Sequence, residues 1–258
     1  MWHFLTSYIK YWFTAKTKYS IHSPFVYHLV SEVLAKKTPK EIRQKLDTYR
    51  MSLSKDTNQI HVTDFGAGSR VFTSNIRSVQ AIAKYAGISR HKSDILQKLV
   101  AYFKPENILE LGTSLGIGTA AMAIAYPNTQ ITSLEGCPET AKIANKYLSN
   151  FQFNSCRIII GEFSAQLPKI LSNQTFDLMY FDGNHQKEAT IQYFESCLPQ
   201  VHNNTLCIFD DIHWSKGMEE AWKYIIHHPR TTVCIDLYHV GLVFFRKEQE
   251  PQNFIIKI

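Results

Sequence analysis

Residues Ile108–Thr119 read ILELGTSLGIGT, and this stretch decides the fold. Ile108 to Leu111 form a short apolar run of the kind a buried parallel strand requires. Gly112 then lets the backbone turn where a side chain would collide. From Leu115 to Tyr126 nearly every residue is small or apolar, including Ala120, Ala121, Met122, Ala123, Ile124 and Ala125, and Pro127 ends the run. Such a segment predicts a buried helix. Strand, glycine turn and buried helix are the opening unit of an α/β sheet that binds nucleotides at its strand ends. The glycines at 112, 116 and 118 give GxxxGxG, whereas a dinucleotide fingerprint needs GxGxxG. The spacing disfavours NAD and points to another adenosine ligand.

Working outward, Ile131–Glu135 (ITSLE) is the expected second strand and ends in an acid 17 residues past Gly118. A carboxylate there can accept hydrogen bonds from both hydroxyls of a ribose, which makes Glu135 the firmest ligand candidate. Pro138 to Ser149 reads as the next helix and Cys156–Gly161 (CRIIIG) as the third strand. Phe176 to Phe181 reads as a fourth strand ending in Asp182, and Thr205 to Phe209 as a fifth ending in Asp210 and Asp211. In a parallel sheet these ends share one edge with Gly112. Three carboxylates brought together raise at least one pKa by mutual repulsion unless a divalent cation with a preference for oxygen neutralises them. Acids at strand ends also serve as helix caps, and both readings stay open on the residues alone. After a helix within Gly217–His227, Thr231–Leu237 and Val240–Arg246 predict a closing hairpin, with Asp236, Tyr238 and His239 near its turn. A two-halved dinucleotide fold would continue with a helix instead.

The ELGxxxG segment starting at Glu110 resembles the first motif of the class I methyltransferases that use S-adenosylmethionine. FDLMYFDGNH (residues 176–185) and FDDIHW (209–214), with Asp210 following Asp182 by 28 residues, narrow the resemblance to the magnesium-dependent O-methyltransferases of the catechol and caffeoyl-coenzyme A type. It covers residues 105–246. It implies an α/β fold with a Rossmann-like seven-stranded sheet, mostly parallel with an antiparallel last strand, in a domain spanning 105–258. S-adenosylmethionine would be held by Glu110, Gly112, Thr113, Ser114, Gly116, Gly118 and Glu135. Its adenine would lie at Gly161, Glu162 and Phe163, with Glu162 on the exocyclic amine and Phe163 along the ring. Asp182, Asp210 and Asp211 would hold the divalent cation, with magnesium first in line. The catechol enzymes carry a base lysine where this chain has His185, so His185, beside Asp182, becomes the candidate proton acceptor and His213 the second. Trp214 is a candidate wall of the acceptor pocket.

The activity implied is metal-assisted methylation of a hydroxyl on a small molecule. An RNA methyltransferase is the alternative that the net charge of +6 favours, but basic and aromatic residues are not interleaved on a clear face and no NPPY-type motif is present, so nucleic acid is not the expected partner. A non-catalytic S-adenosylmethionine-binding partner protein is the third reading.

The chain is long enough, at 258 residues and 45% hydrophobic, for a substantial core. Its five cysteines (137, 156, 197, 207, 234) lack metal spacing and read as reduced core residues. No run approaches the roughly 20 apolar residues of a membrane helix, and no signal peptide is evident, so the expected location is cytoplasmic. The first 104 residues read as a mostly helical extension, including a helix from Pro24 to Leu34 capped by Ser23. Trp2, Phe4, Leu5, Tyr8, Ile9, Tyr11, Trp12 and Phe13 crowd its start beside Lys10, Lys16 and Lys18. A helix packed on its own domain or on a second copy is expected there, with peripheral membrane contact as the alternative. His61–Arg70 (HVTDFGAGSR) resembles a second glycine motif, but Tyr85–Lys92 (YAGISRHK) supplies no following strand. It is expected to be a glycine turn between helices; the alternative is a lid formed with Asp64, Ser69 or Arg70.

Overall fold

The computed structural model describes residues 2–66, 68 and 72–258. Ser69, Arg70 and the side chains of Trp2, Phe4 and Leu5 lie outside that description. The chain forms two compact units, one of residues 38–170 and one of residues 1–37 with 171–258.

In the first unit, β1 (Gln59–His61) and β2 (Ile76–Ser78) pair antiparallel. The His61–Arg70 segment therefore leaves a hairpin strand and is not a turn between helices. Three parallel strands follow: β3 (Asn107–Leu111), β4 (Gln130–Glu135) and β5 (Cys156–Ile160), paired in that order. The helix expected after Gly112 runs from Ile117 to Ala125, with Ala120, Ala121 and Met122 fully buried. Helices Lys40–Ser54 and Arg90–Phe103 both pack on it, which is why its surface is apolar all round. Ser89 caps the second of these by accepting the Lys92 N–H, and Lys104 ends it at φ +49°.

In the second unit, β6 (Leu178–Phe181) and β7 (Leu206–Asp210) are parallel, and β7 pairs antiparallel with β9 (Val240–Phe244). β8 (Val233–Asp236) forms the expected hairpin with β9. A further strand, β10 (Gln252–Ile255), lies parallel to β8. The alternation of helices with mostly parallel strands and one antiparallel strand is the α/β architecture expected from the sequence.

Ser23 accepts the Val26 N–H as the predicted cap, and Pro24 occupies the first turn, but the helix widens to a π-helix over Leu29–Leu34. Helix Trp2–Thr14 docks through Ser7 and Tyr11, whose hydroxyls meet the Tyr238 hydroxyl and the Ile256 carbonyl. Its Ile9, Trp12 and Phe13 side chains face outward. All five cysteines are free thiols. Among the described residues no helix is long and apolar enough to cross a membrane.

Candidate functional site

The glycine turn is built as a set of backbone donors. Gly112, at φ +106°, and Thr113 both donate their N–H to the Leu134 carbonyl, at 2.9 and 3.2 Å. That ties the end of β3 to the end of β4. Ser114 adopts φ +48° and donates its N–H to Glu135 Oε2 at 2.7 Å, while Cys137 donates to Oε1 at 2.9 Å. Gly116 opens the buried helix at φ +74°, and a Cβ there would stand 2.8 Å from the Tyr49 hydroxyl. That hydroxyl is fixed by donating to the Leu115 carbonyl at 2.9 Å. Only glycine satisfies both the dihedral and the space. Gly118 lies buried within the helix that Gly116 opens.

Glu135 is half-buried, and burial raises its pKa. The N–H groups of Cys137, Ser114 and Gly136 work in the opposite direction, and the charge of Asp64 adds to the rise. A carboxylate has about four lone-pair sites, so these three bonds leave capacity for one hydroxyl of a ligand. Gly161, at φ +141°, donates its N–H to the Glu135 carbonyl at 3.0 Å, which sets the end of β5 beside this carboxylate. Glu162 is exposed, and its carbonyl receives the Ala165 and Gln166 N–H groups; Phe163 begins the helix that runs to Leu171.

Glu110 departs from the cofactor-binding role expected of it. Its carboxyl is 1% exposed and accepts the Thr119 and Ser133 hydroxyls, each at 2.5 Å. Thr113 joins the same knot through Ser133. Burial outweighs these hydrogen bonds and pushes the Glu110 pKa up to about 7. Glu110 thus braces β3 against β4 and the buried helix from inside, two residues before the turn at Gly112.

In the other unit, the register pairs Phe181 with Phe209, so Asp182 and Asp210 follow at adjacent ends of parallel strands. Tyr180 donates its hydroxyl to Asp182 Oδ2 at 3.0 Å, and His185 Nε2 stands 3.7 Å from Oδ1. Asn184 and His185 both adopt left-handed backbone, at φ +70° and +48°. Two consecutive non-glycine residues in this region carry strain of the sort that collects at functional sites. Asp211 is also left-handed, at φ +52°, and donates its N–H to the His239 carbonyl at 2.8 Å.

Asp182, Asp210 and Asp211 are the hard oxygen donors that magnesium or calcium takes. Among the described residues, however, no three His, Cys, Asp or Glu side chains are gathered closely enough to hold a metal ion. The donors fit a cation in kind but not in arrangement.

His213 is committed elsewhere. Its Nδ1 stands 3.0 Å from Glu219 and its Nε2 2.8 Å from Asp236, and its ring stacks on Tyr238. Burial lowers its pKa, but the two carboxylates more than reverse this and leave it raised. With both ring nitrogens engaged, His213 has no lone pair to offer a substrate proton, in contrast to the role expected of it. Sequence reading placed Asp236 near a turn but had no means of joining it to a histidine 23 residues earlier. Trp214 donates its N–H to the Asp211 carbonyl at 2.8 Å, closing the turn after β7.

Residues 109–212 match the family model described as a methyltransferase domain. Over this segment the chain is similar to methyltransferase domains. More particularly, it is 30% identical over 129 residues to a catechol O-methyltransferase of Niastella koreensis, an alignment covering 48% of this chain and 58% of that one. It is 24% identical over 161 residues to catechol O-methyltransferase B of Danio rerio, covering 59% and 60%. The alignments thus span somewhat under two thirds of these curated relatives. Among solved structures, the SAH-bound Podospora anserina methyltransferase PaMTH1 superposes with a TM-score of 0.60 at 14% identity, covering 88% of this chain and 98% of that one. The O-methyltransferase of Bacillus cereus in complex with SAH gives 0.53 at 18% identity, covering 84% and 96%. These two likenesses concern the fold.

Proposed function

We propose that this protein transfers the methyl group of S-adenosylmethionine to a hydroxyl oxygen of a small acceptor. The observation that carries this reading is the turn at Gly112–Gly116, whose backbone is fixed against a half-buried Glu135 that retains a lone pair for a ribose hydroxyl. The match to a methyltransferase domain and the catechol O-methyltransferase relatives support it. Gly112, Thr113, Ser114, Gly116 and Glu135 bind the sugar and amino-acid end of the donor, and Gly161 with Glu162 and Phe163 the adenine. Glu110 and Gly118 act as support behind them.

Transfer requires the acceptor oxygen to lose its proton as it attacks the sulfonium methyl carbon. His185 takes that proton. Asp182 orients the ring and stabilises the imidazolium, and is itself held by the Tyr180 hydroxyl. A divalent cation on Asp182, Asp210 and Asp211 would lower the acceptor's hydroxyl pKa when bound. No step is assigned to it, because the three side chains do not form a ready group.

Incubation with methyl-labelled S-adenosylmethionine and a panel of catechols and other vicinal diols tests the reading. Label transfer that is lost in His185→Asn and Asp182→Ala supports it. Label transfer to RNA alone, weakening steeply with salt, would establish the nucleic-acid alternative instead. Donor binding with no transfer to either class would favour the non-catalytic partner.

A further inference from the structure

We propose that Phe65, carried on the β1–β2 hairpin, is the residue on which the adenine ring of S-adenosylmethionine stacks. This rests on the cofactor reading above and adds to it a residue from outside the matched methyltransferase segment.

The hairpin is bonded to the start of the helix Pro138–Asn150 that follows β4. His61 donates its N–H to Glu139 Oε2 at 2.7 Å, and Thr63 donates its N–H to Cys137 Sγ at 3.4 Å. The same thiol reaches back to the His61 carbonyl at 3.6 Å. Val62 extends the ladder by donating to the Asn75 carbonyl at 2.7 Å. The backbone leading to Phe65 is therefore held on both sides, and Asp64 fixes the next turn by accepting the Gly66 N–H at 3.0 Å.

Phe65 fills a space that the sequence leaves empty. A Cβ on Gly136 would stand 2.7 Å from Phe65 Cδ2 and 3.1 Å from Cε2, so the ring lies directly on the Gly136 backbone. Glycine at 136 is what admits it. Yet the residue is 47% exposed. An aromatic ring held over a backbone with much of its surface still open is placed to receive a second flat group.

Position identifies that group. Gly136 directly follows Glu135, and neighbouring Cα atoms are about 3.8 Å apart. A ligand whose ribose hydroxyl reaches the Glu135 carboxylate has its base one sugar ring away, within reach of Phe65. Bases stack on aromatic faces whatever their hydrogen-bonding edge, so the stacking supplies affinity while β5 residues can read the edge.

The test is calorimetric titration of the full chain with S-adenosylhomocysteine and, separately, with adenosine, which shares only the nucleoside. Phe65→Ala is expected to weaken both about tenfold, the loss typical of one stacking side chain, and Phe65→Trp to restore both. Hydrogen exchange at residues 59–66 of the wild type is expected to slow when S-adenosylhomocysteine is added. Ligand binding by the wild type that Phe65→Ala leaves unchanged, or that gives no protection of 59–66, overturns the stacking role and leaves the cofactor reading standing. Failure of the wild type to bind either ligand removes both. If Phe65→Ala does not fold, the Trp variant and the exchange measurement decide.

Discussion

Replacing Glu110 by Gln is expected to make the protein more stable at neutral and alkaline pH while changing little in mild acid. Gln is nearly the same shape, and its amide oxygen, with two lone pairs, can accept both hydroxyls, Thr119 and Ser133, that now donate to one oxygen of Glu110. What it removes is the ionisation. The folded state holds the Glu110 proton up to about 7 against an ordinary 4.5. At about 1.4 kcal/mol for each pH unit of displacement, the buried anion costs the folded state about 3 kcal/mol. The sign follows from which state releases the proton first. Below the unfolded value both states are protonated and the group contributes no difference. As pH rises towards 7 the unfolded chain ionises while the native carboxyl does not, and stability falls until the full cost is reached above the folded value. Gln titrates in neither state. Urea unfolding of wild type and Glu110→Gln at about pH 4.5 and about pH 8 should show the variant's relative stability rising by about 3 kcal/mol across the interval. A difference that stays constant with pH would refute the view that Glu110 is an internal brace ionising against its surroundings.

Other outcomes follow from the same geometry. Gly116→Ala forces a Cβ into left-handed backbone and against the Tyr49 hydroxyl, and should cost about 2 kcal/mol by denaturant titration, part of it recovered in the Tyr49→Phe background. Asp236→Asn leaves His213 facing Glu219 with a weakened second partner, and should lower stability by up to about 3 kcal/mol at neutral pH without changing donor affinity. His185→Asn should reduce kcat by about a hundredfold or more while the affinity for S-adenosylhomocysteine stays at the wild-type value.

The sequence made most of the sheet legible because its strands end in residues with few alternatives. Gly112 and Gly116 announce a turn that other residues cannot make, and both do take positive φ. Glu135 could be singled out because distance along the chain fixes where the second parallel strand must end. The hairpin of β1 and β2 was not legible, since each strand has three residues and their pairing joins positions from 59 to 78. β10 escaped for a related reason: its residues alternate little and three of the four are exposed, so no period-two pattern marks it. Glu110 and His213 show where side-chain roles go beyond motif reading. Whether a strand-end acid faces ligand or core depends on which face a helix covers, and whether a histidine is free depends on partners such as Asp236 that only the folded chain supplies.

The central claim is that Glu135 and the glycine turn form the binding site for S-adenosylmethionine. Calorimetric titration of wild type and Glu135→Ala with S-adenosylmethionine, with NAD as the comparison ligand, tests it most directly. The expected result is saturable binding of S-adenosylmethionine and none of NAD, with at least tenfold weaker binding by Glu135→Ala, in keeping with loss of charge-assisted hydrogen bonds of about 1.5–3 kcal/mol. Absence of S-adenosylmethionine binding, or equal binding by the two proteins, would contradict it.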